Sequence, residues 1–134
     1  MDNLTRSQRS LCMSRVRNKN TSLEMQLRRQ LHKQGLRYAL HRRDLAGTPD
    51  IVFPRARVVV FVNGDFWHGF RYARWAHKLA PFWRKKIELN RCRDKRNTRK
   101  LRSAGWRVVT IWQHQLKGDL DACVGKVVQT LNGA

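Results

Sequence analysis

Acidic residues are scarce in this chain. Only nine of its 134 residues are Asp or Glu, against 29 Lys and Arg, which gives a formal net charge of +20. Such an imbalance disfavours cationic partners and favours a polyanion, because each phosphate neutralised by a cation releases condensed counterions. Long apolar runs are missing as well. No stretch approaches the roughly 18 residues that a membrane-spanning helix needs. No apolar segment follows the N-terminal charges in the manner of a signal peptide. The expectation is a cytoplasmic, nucleoid-associated protein whose partner is nucleic acid, not a membrane surface. Cysteine is limited to Cys12, Cys92 and Cys123, an odd number, widely spaced and without a CxxC pair. That excludes a disulfide framework and a zinc site built from cysteines. There is no internal repeat, no low-complexity run and no dividing linker. Residues 1–134 therefore read as one domain with one core.

The few acids that are present gather in informative places. The segment GTPDIVFPRARVVVFVNGDFWHG, residues 47–69, puts Asp50 at the head of one strand and Asp65 and His68 just past the end of the next. A short hairpin would bring these three together. Acids beside a histidine in a strongly basic chain suit a metal ion held against a phosphate, which is the chemistry of a nuclease.

Local patterning places these residues on elements. The first twenty residues carry many cations and few apolar anchors and read as a basic arm or a helix ordered on DNA. Thr21 followed by Glu24 matches a capping box, and Leu23, Leu27 and Leu31 recur at helical spacing until Gly35. Glu24 is then either a cap or an acid facing the active site. Residues 38–40, 51–53 and 58–62 read as strands, with 54–57 as the connection. The run VVVFV is apolar throughout, as in a strand buried on both faces. Residues 66–77 are aromatic and aperiodic and read as a loop. A long helix follows from Phe82 to about Ser103, with Trp83, Ile87, Asn90, Asp94, Asn97 and Leu101 on one face. Three polar residues in the middle of that stripe point into a wet site, since an unpaired buried polar group costs about 1–3 kcal/mol. Residues 106–112 read as a further strand, and 120–131 as a final helix with Val124, Val127, Val128 and Leu131 inward. The whole predicts an α/β (α+β) domain, a central mixed sheet flanked by helices.

Phosphodiester cleavage explains why these residue types matter. Mg²⁺ neutralises charge on the phosphate and orients water, while carboxylates and carbonyls fix the ion. Asp50, set by Pro49 at a strand start, suits the ligand role. His68 suits the general base, since histidine is the residue type commonly used to take up and release protons in catalysis, and Asp94 can orient its ring.

These motifs resemble the Vsr-type very short patch repair endonucleases, a branch of the PD-(D/E)xK nuclease fold. The resemblance runs through TSLE, GTPDIVF, VVVFVNGDFWH, PFWRKKIELNRCRDKRN and LRSAGWRVVTIW, in that order and over nearly the whole chain. It implies a restriction-endonuclease-like fold and a Mg²⁺-dependent nick in one strand beside a T:G mismatch left by deamination of 5-methylcytosine. It also implies that Asp50 and the backbone carbonyl of Val62 hold the metal, that His68 acts at the scissile phosphate, and that Asp94 and Glu24 belong to the active site. Phe66, Trp67 and Trp83 fall on the family's aromatic wedge, which unstacks a base step; a mismatched step yields more cheaply. Asn90, Arg91 and Arg93 become candidate DNA contacts, within a larger cationic set that includes Arg71, Arg74, Lys85, Lys86, Lys95 and Arg96. A functional link to a cytosine-5 DNA methyltransferase follows, and a monomer suffices for nicking one strand. Trp75, Trp106 and Trp112 are assigned to packing.

The chain also departs from the pattern. The best-known members bind structural zinc, but the corresponding positions here are Asp65, Phe70, Tyr72 and His114. Phenylalanine cannot coordinate and tyrosine is a poor tetrahedral ligand, so no structural zinc is expected. Asp65 and His114 are then free to pair and brace the loop, or Asp65 to serve as an additional metal ligand. Asn63 replaces a family histidine, which leaves His68 as the one evident base. Two alternatives remain beside the mismatch endonuclease. One is a restriction or defence nuclease with the same site; the other is a non-catalytic basic DNA-binding protein.

Overall fold

The structure is a computed structural model that describes residues 22–133. The basic arm, Cys12 and the Thr21 half of the capping box lie outside the described residues. The first helix, α1 (Ser22–Lys33), is followed by the strands β1 (Ala39–Leu40), β2 (Ile51–Phe53) and β3 (Val58–Asn63). The long helix α2 (Pro81–Ser103), strand β4 (Arg107–Trp112) and helices α3 (Gln113–Gly118) and α4 (Leu120–Asn132) complete the chain.

The strands form one mixed sheet in the order β1-β2-β3-β4. β1, β2 and β3 pair antiparallel, whereas β3 and β4 pair parallel over six residues, Val58↔Arg107 to Asn63↔Trp112. A parallel partner requires a long crossover, and α2 is that crossover. β3 is the central strand, which accounts for its unbroken apolar run: Val58 and Val60 join the core beneath α1, α3 and α4, while Val59 packs with Val52 and Leu101 on the α2 side. Each of these side chains removed from water stabilises the fold by about 1.5–3 kcal/mol. Helix α2 starts at Pro81, whose missing N–H is not needed in the first turn. In α4 the Asp119 carboxylate accepts the Ala122 amide at 3.0 Å, and Val127 and Val124 are buried beneath it.

Several boundaries differ from expectation. Tyr38 is not in the first strand; its ring packs edge-on against Phe53 and its hydroxyl donates to the Arg28 carbonyl at 2.9 Å, tying the strand entry to α1. The segment 66–77 is not wholly irregular. It contains short 3-10 turns at Tyr72–Arg74 and Ala76–Lys78. Helix α3 had no sequence signal, because only Leu116 of its six residues is buried. Among the described residues, Cys92 and Cys123 are free thiols, and no helix is long and apolar enough to cross a membrane.

Candidate active site

Asp50 sits immediately before β2, where the sheet's edge registers decide what surrounds it. The pairing Leu40↔Ile51 places His41 opposite Asp50, and the His41 amide donates to the Asp50 carbonyl at 3.2 Å. The Asp50 amide donates to the Val60 carbonyl at 3.0 Å, and the Asp50 carboxylate accepts the Val62 amide at 2.7 Å. In an extended strand the N–H and C=O of one residue face the same neighbour. The Val62 carbonyl is therefore directed to the Asp50 side of β3.

The first turn of α1 delivers Glu24, which is 4 % exposed, to the same place. One Glu24 carboxylate oxygen pairs with Arg28 at 3.0 Å and with His41 Nε2 at 3.5 Å, while His41 Nδ1 lies 3.7 Å from Asp50. Glu24, His41 and Asp50 thus offer three donor atoms within 4.8 Å of one another. Burial pushes the Asp50 carboxyl up to about 7; the Val62 amide and His68 favour its charged form, and the nearby Glu24 opposes it. Two carboxylates at such separation favour a shared cation. The donor set of two hard carboxylates and one imidazole fits a divalent metal ion.

His68 arrives from the other side. The loop after β3 doubles back, with the His68 amide donating to the Gly64 carbonyl at 3.2 Å. Gly69 has φ +68, and a Cβ there would lie 2.7 Å from Cδ of Arg91 and 3.0 Å from Cγ2 of Ile87. Only glycine lets this loop lie flush on α2. The contact sets His68 Nδ1 2.6 Å from Asp94 Oδ2. Asn90, one turn earlier, donates to the Trp67 carbonyl at 3.0 Å, and Asn97, one turn later, packs against the Gly47 turn that leads to Asp50. The polar stripe of α2 is therefore occupied by contacts that shape the site.

Beside His68 and Asp94 lies a groove of about 690 Å³, to which Arg71, Arg91, Lys95, Arg99 and Arg102 contribute cations. Arg93, also expected at DNA, is exposed outside that lining.

The aromatic residues take a different arrangement from a free wedge. Trp67 and Trp83 are buried, at 8 % and 4 % exposure, in a cluster with Tyr72, Leu79 and Ile87; Phe66 is partly buried against it and stacks on Trp75. Trp83 and Ile87 lie four residues apart on α2, so helical packing claims both. The exposed ring at this cluster is Phe82, 61 % exposed and edge-on to Trp83, which sequence reasoning passed over.

Asp65 does not join Asp50. Its carboxylate lies 2.8 Å from Nδ1 of His114, and the His114 ring is 4.3 Å from the ring of Phe70. This pairing removes Asp65 from the metal group, because the turn after Gly64 carries it towards α3. Tyr72 turns the opposite way and donates to Glu88 at 3.0 Å. His41 is a second imidazole at the site, which the sequence motifs did not name. Its signal was available in the pairing register, which sets residue 41 opposite residue 50, but not in any local motif.

The sequence profile described as DNA mismatch endonuclease Vsr matches residues 1–74. This chain belongs to the Vsr family. It is 44% identical over 133 residues to the type II nicking enzyme V.XorIIP of Xanthomonas oryzae pv. oryzae, a match covering 98% of this chain and 97% of that protein. It is 36% identical to the type II nicking enzyme V.NmeDIP of Neisseria meningitidis serogroup C, over 98% of this chain and 90% of the relative. It is 34% identical to the DNA mismatch endonuclease Vsr of Escherichia coli strain K12, over 82% of this chain and 72% of that protein. Membership of the Vsr family makes the protein a DNA endonuclease of the mismatch-repair type, with a restriction-endonuclease-like fold. The mixed sheet with helices on both faces agrees with that fold.

Proposed function

We propose that this Vsr-family endonuclease nicks one strand of duplex DNA beside a T:G mismatch, of the kind left when 5-methylcytosine deaminates, and so starts very short patch repair. The observation that carries the reading is the convergence of two groups from opposite sides: Glu24, His41 and Asp50 at the sheet edge, and His68 with Asp94 between loop and helix. When bound, Mg²⁺ supplies charge neutralisation at the scissile phosphate. Asp50 and the Val62 carbonyl are the residues to hold it, with Glu24 beside them.

The chain's own groups account for the rest. Asp94 accepts the Nδ1 hydrogen of His68, which fixes the tautomer and leaves Nε2 to take the proton of the attacking water. The basic groove next to His68 receives the phosphate backbone. Phe66, Trp67 and Trp83 stand beside the site as an aromatic platform, and a mismatched step, being easier to unstack, is the step it accepts most cheaply. The single domain acts as a monomer in the cytoplasm at the nucleoid, following a cytosine-5 methyltransferase whose product gives the mismatch when it deaminates.

End-labelled duplexes decide the matter, one with a single T:G mismatch in varied flanks and one fully paired, each with Mg²⁺ and with EDTA. The expected outcome is a metal-dependent nick in the mismatched strand alone, lost in Asp50→Ala while binding persists. Equal cutting of the paired duplex would replace mismatch repair by a defence function. Cleavage that survives Asp50→Ala would remove the assigned centre.

A further inference from the structure

We propose that His41 is a nitrogen ligand of the divalent ion, so that the centre is Glu24, His41 and Asp50 and ranks Mn²⁺ above Mg²⁺. The inference rests on the metal-dependent reading of Asp50 and goes beyond it. Three observations support it. First, the distances fit: donor atoms bound at about 2.0–2.2 Å to one octahedral ion lie about 3 Å apart when adjacent and about 4.3 Å when opposite. Taking one donor atom from each residue, Glu24, His41 and Asp50 lie within 4.8 Å of one another, close to that interval, with His41 Nε2 3.5 Å from Glu24. Second, the residue is held in place through its backbone, since the His41 amide donates to Asp50 itself and the β1–β2 register fixes the two opposite each other.

Third, His41 has φ +47, a left-handed conformation that non-glycine residues adopt at an energetic cost. The strain falls on the one residue of β1's exit whose ring lies between the two acids. An imidazole with both nitrogens near carboxylates can ligate through one and donate its other N–H, which is how ligating histidines are commonly oriented. Adding nitrogen to an oxygen set favours the later first-row ions over Mg²⁺, which prefers oxygen and water throughout.

The test uses the full chain without DNA. Mn²⁺ binding is followed by electron paramagnetic resonance, and Mg²⁺ affinity by its competition, for the wild type, Asp50→Ala, His41→Gly and His41→Asn. Glycine and asparagine both accept positive φ, so these variants remove the imidazole without adding backbone strain. The expected result is a nitrogen hyperfine coupling to bound Mn²⁺ that disappears in both His41 variants. Mn²⁺ affinity should fall by about tenfold or more, with a smaller change for Mg²⁺. Unchanged Mn²⁺ affinity and no nitrogen coupling, with binding still lost in Asp50→Ala, would overturn the role of His41 and leave Asp50 as ligand. Binding that survives Asp50→Ala would overturn both readings.

Discussion

His68 Nδ1 and Asp94 Oδ2 lie 2.6 Å apart, joining the loop after β3 to the middle of α2. A charge-assisted bond of this length holds the imidazole in one tautomer with Nε2 directed outward. Asp94→Asn keeps the shape and removes the charge. It should slow single-turnover cleavage by about 10²–10⁴-fold with duplex affinity unchanged. His68→Ala with Asp94→Asn should be no slower than His68→Ala alone, because residues acting as a unit are not additive. Additive losses would mean that Asp94 acts elsewhere.

Asp50 makes the metal-free fold sensitive to pH. Its folded pKa of about 7 lies above the unfolded value of about 3.9. The favourable protonated form is therefore fully present below about pH 4, and its contribution is lost as pH rises to 7. The loss is a few kcal/mol at most, at about 1.4 kcal/mol per unit. Urea midpoints in EDTA at pH 5 and pH 8 should show Asp50→Asn more stable than the wild type, by a clearly wider margin at pH 8 than at pH 5. Adding divalent metal should restore the wild type at pH 8 only, since the metal needs the carboxylate charged. An equal effect of the substitution at both pH values would contradict the burial assigned to this carboxyl.

Those two residues also show why some of the site was legible in the sequence and some was not. Asp50 and the strands beside it announce themselves through local punctuation, a proline before the acid and an apolar run after it. The stripe Asn90, Asp94 and Asn97 is legible because helical spacing puts three polar residues where a core would reject them. His41 carries no such mark; its place beside Asp50 arises from a two-residue strand and its register, a non-local fact. The burial of Trp67 and Trp83 was hidden for a related reason. Their partners Tyr72 and Leu79 come from a segment with no period, and only the packed loop brings these rings together.

The pair of Asp65 and His114, capped by Phe70, ties the loop carrying His68 to α3. Both side chains are more than a third exposed, so the ion pair itself contributes at most about 1 kcal/mol. The aromatic contact adds about 0.5–1.5 kcal/mol. His114→Ala should therefore lower Tm by several degrees, and Phe70→Ala by at least as much. A zinc chelator should leave the Tm of the wild type unchanged. A fall in Tm on chelation, restored by zinc, would show that these side chains hold a metal after all.

The groove cations make a prediction of a different kind, because they act on the phosphate backbone and not on the mismatch. Arg91, Lys95 and Arg99 recur every four residues along α2, about 6 Å apart, on the face next to Asp94. Arg91 is further steadied by its guanidinium, 5.1 Å from the centre of the Tyr72 ring. Replacing each by Gln should weaken binding to paired and mismatched duplexes alike, and each replacement should lower the slope of log K against log salt by about 1. Phe82→Ala, which removes the exposed ring of the aromatic cluster, should do the reverse, narrowing the preference for the mismatch while leaving the slope intact. If the Gln variants altered discrimination instead, the groove would be reading bases, and the strand would have to pass over the aromatic cluster by another route.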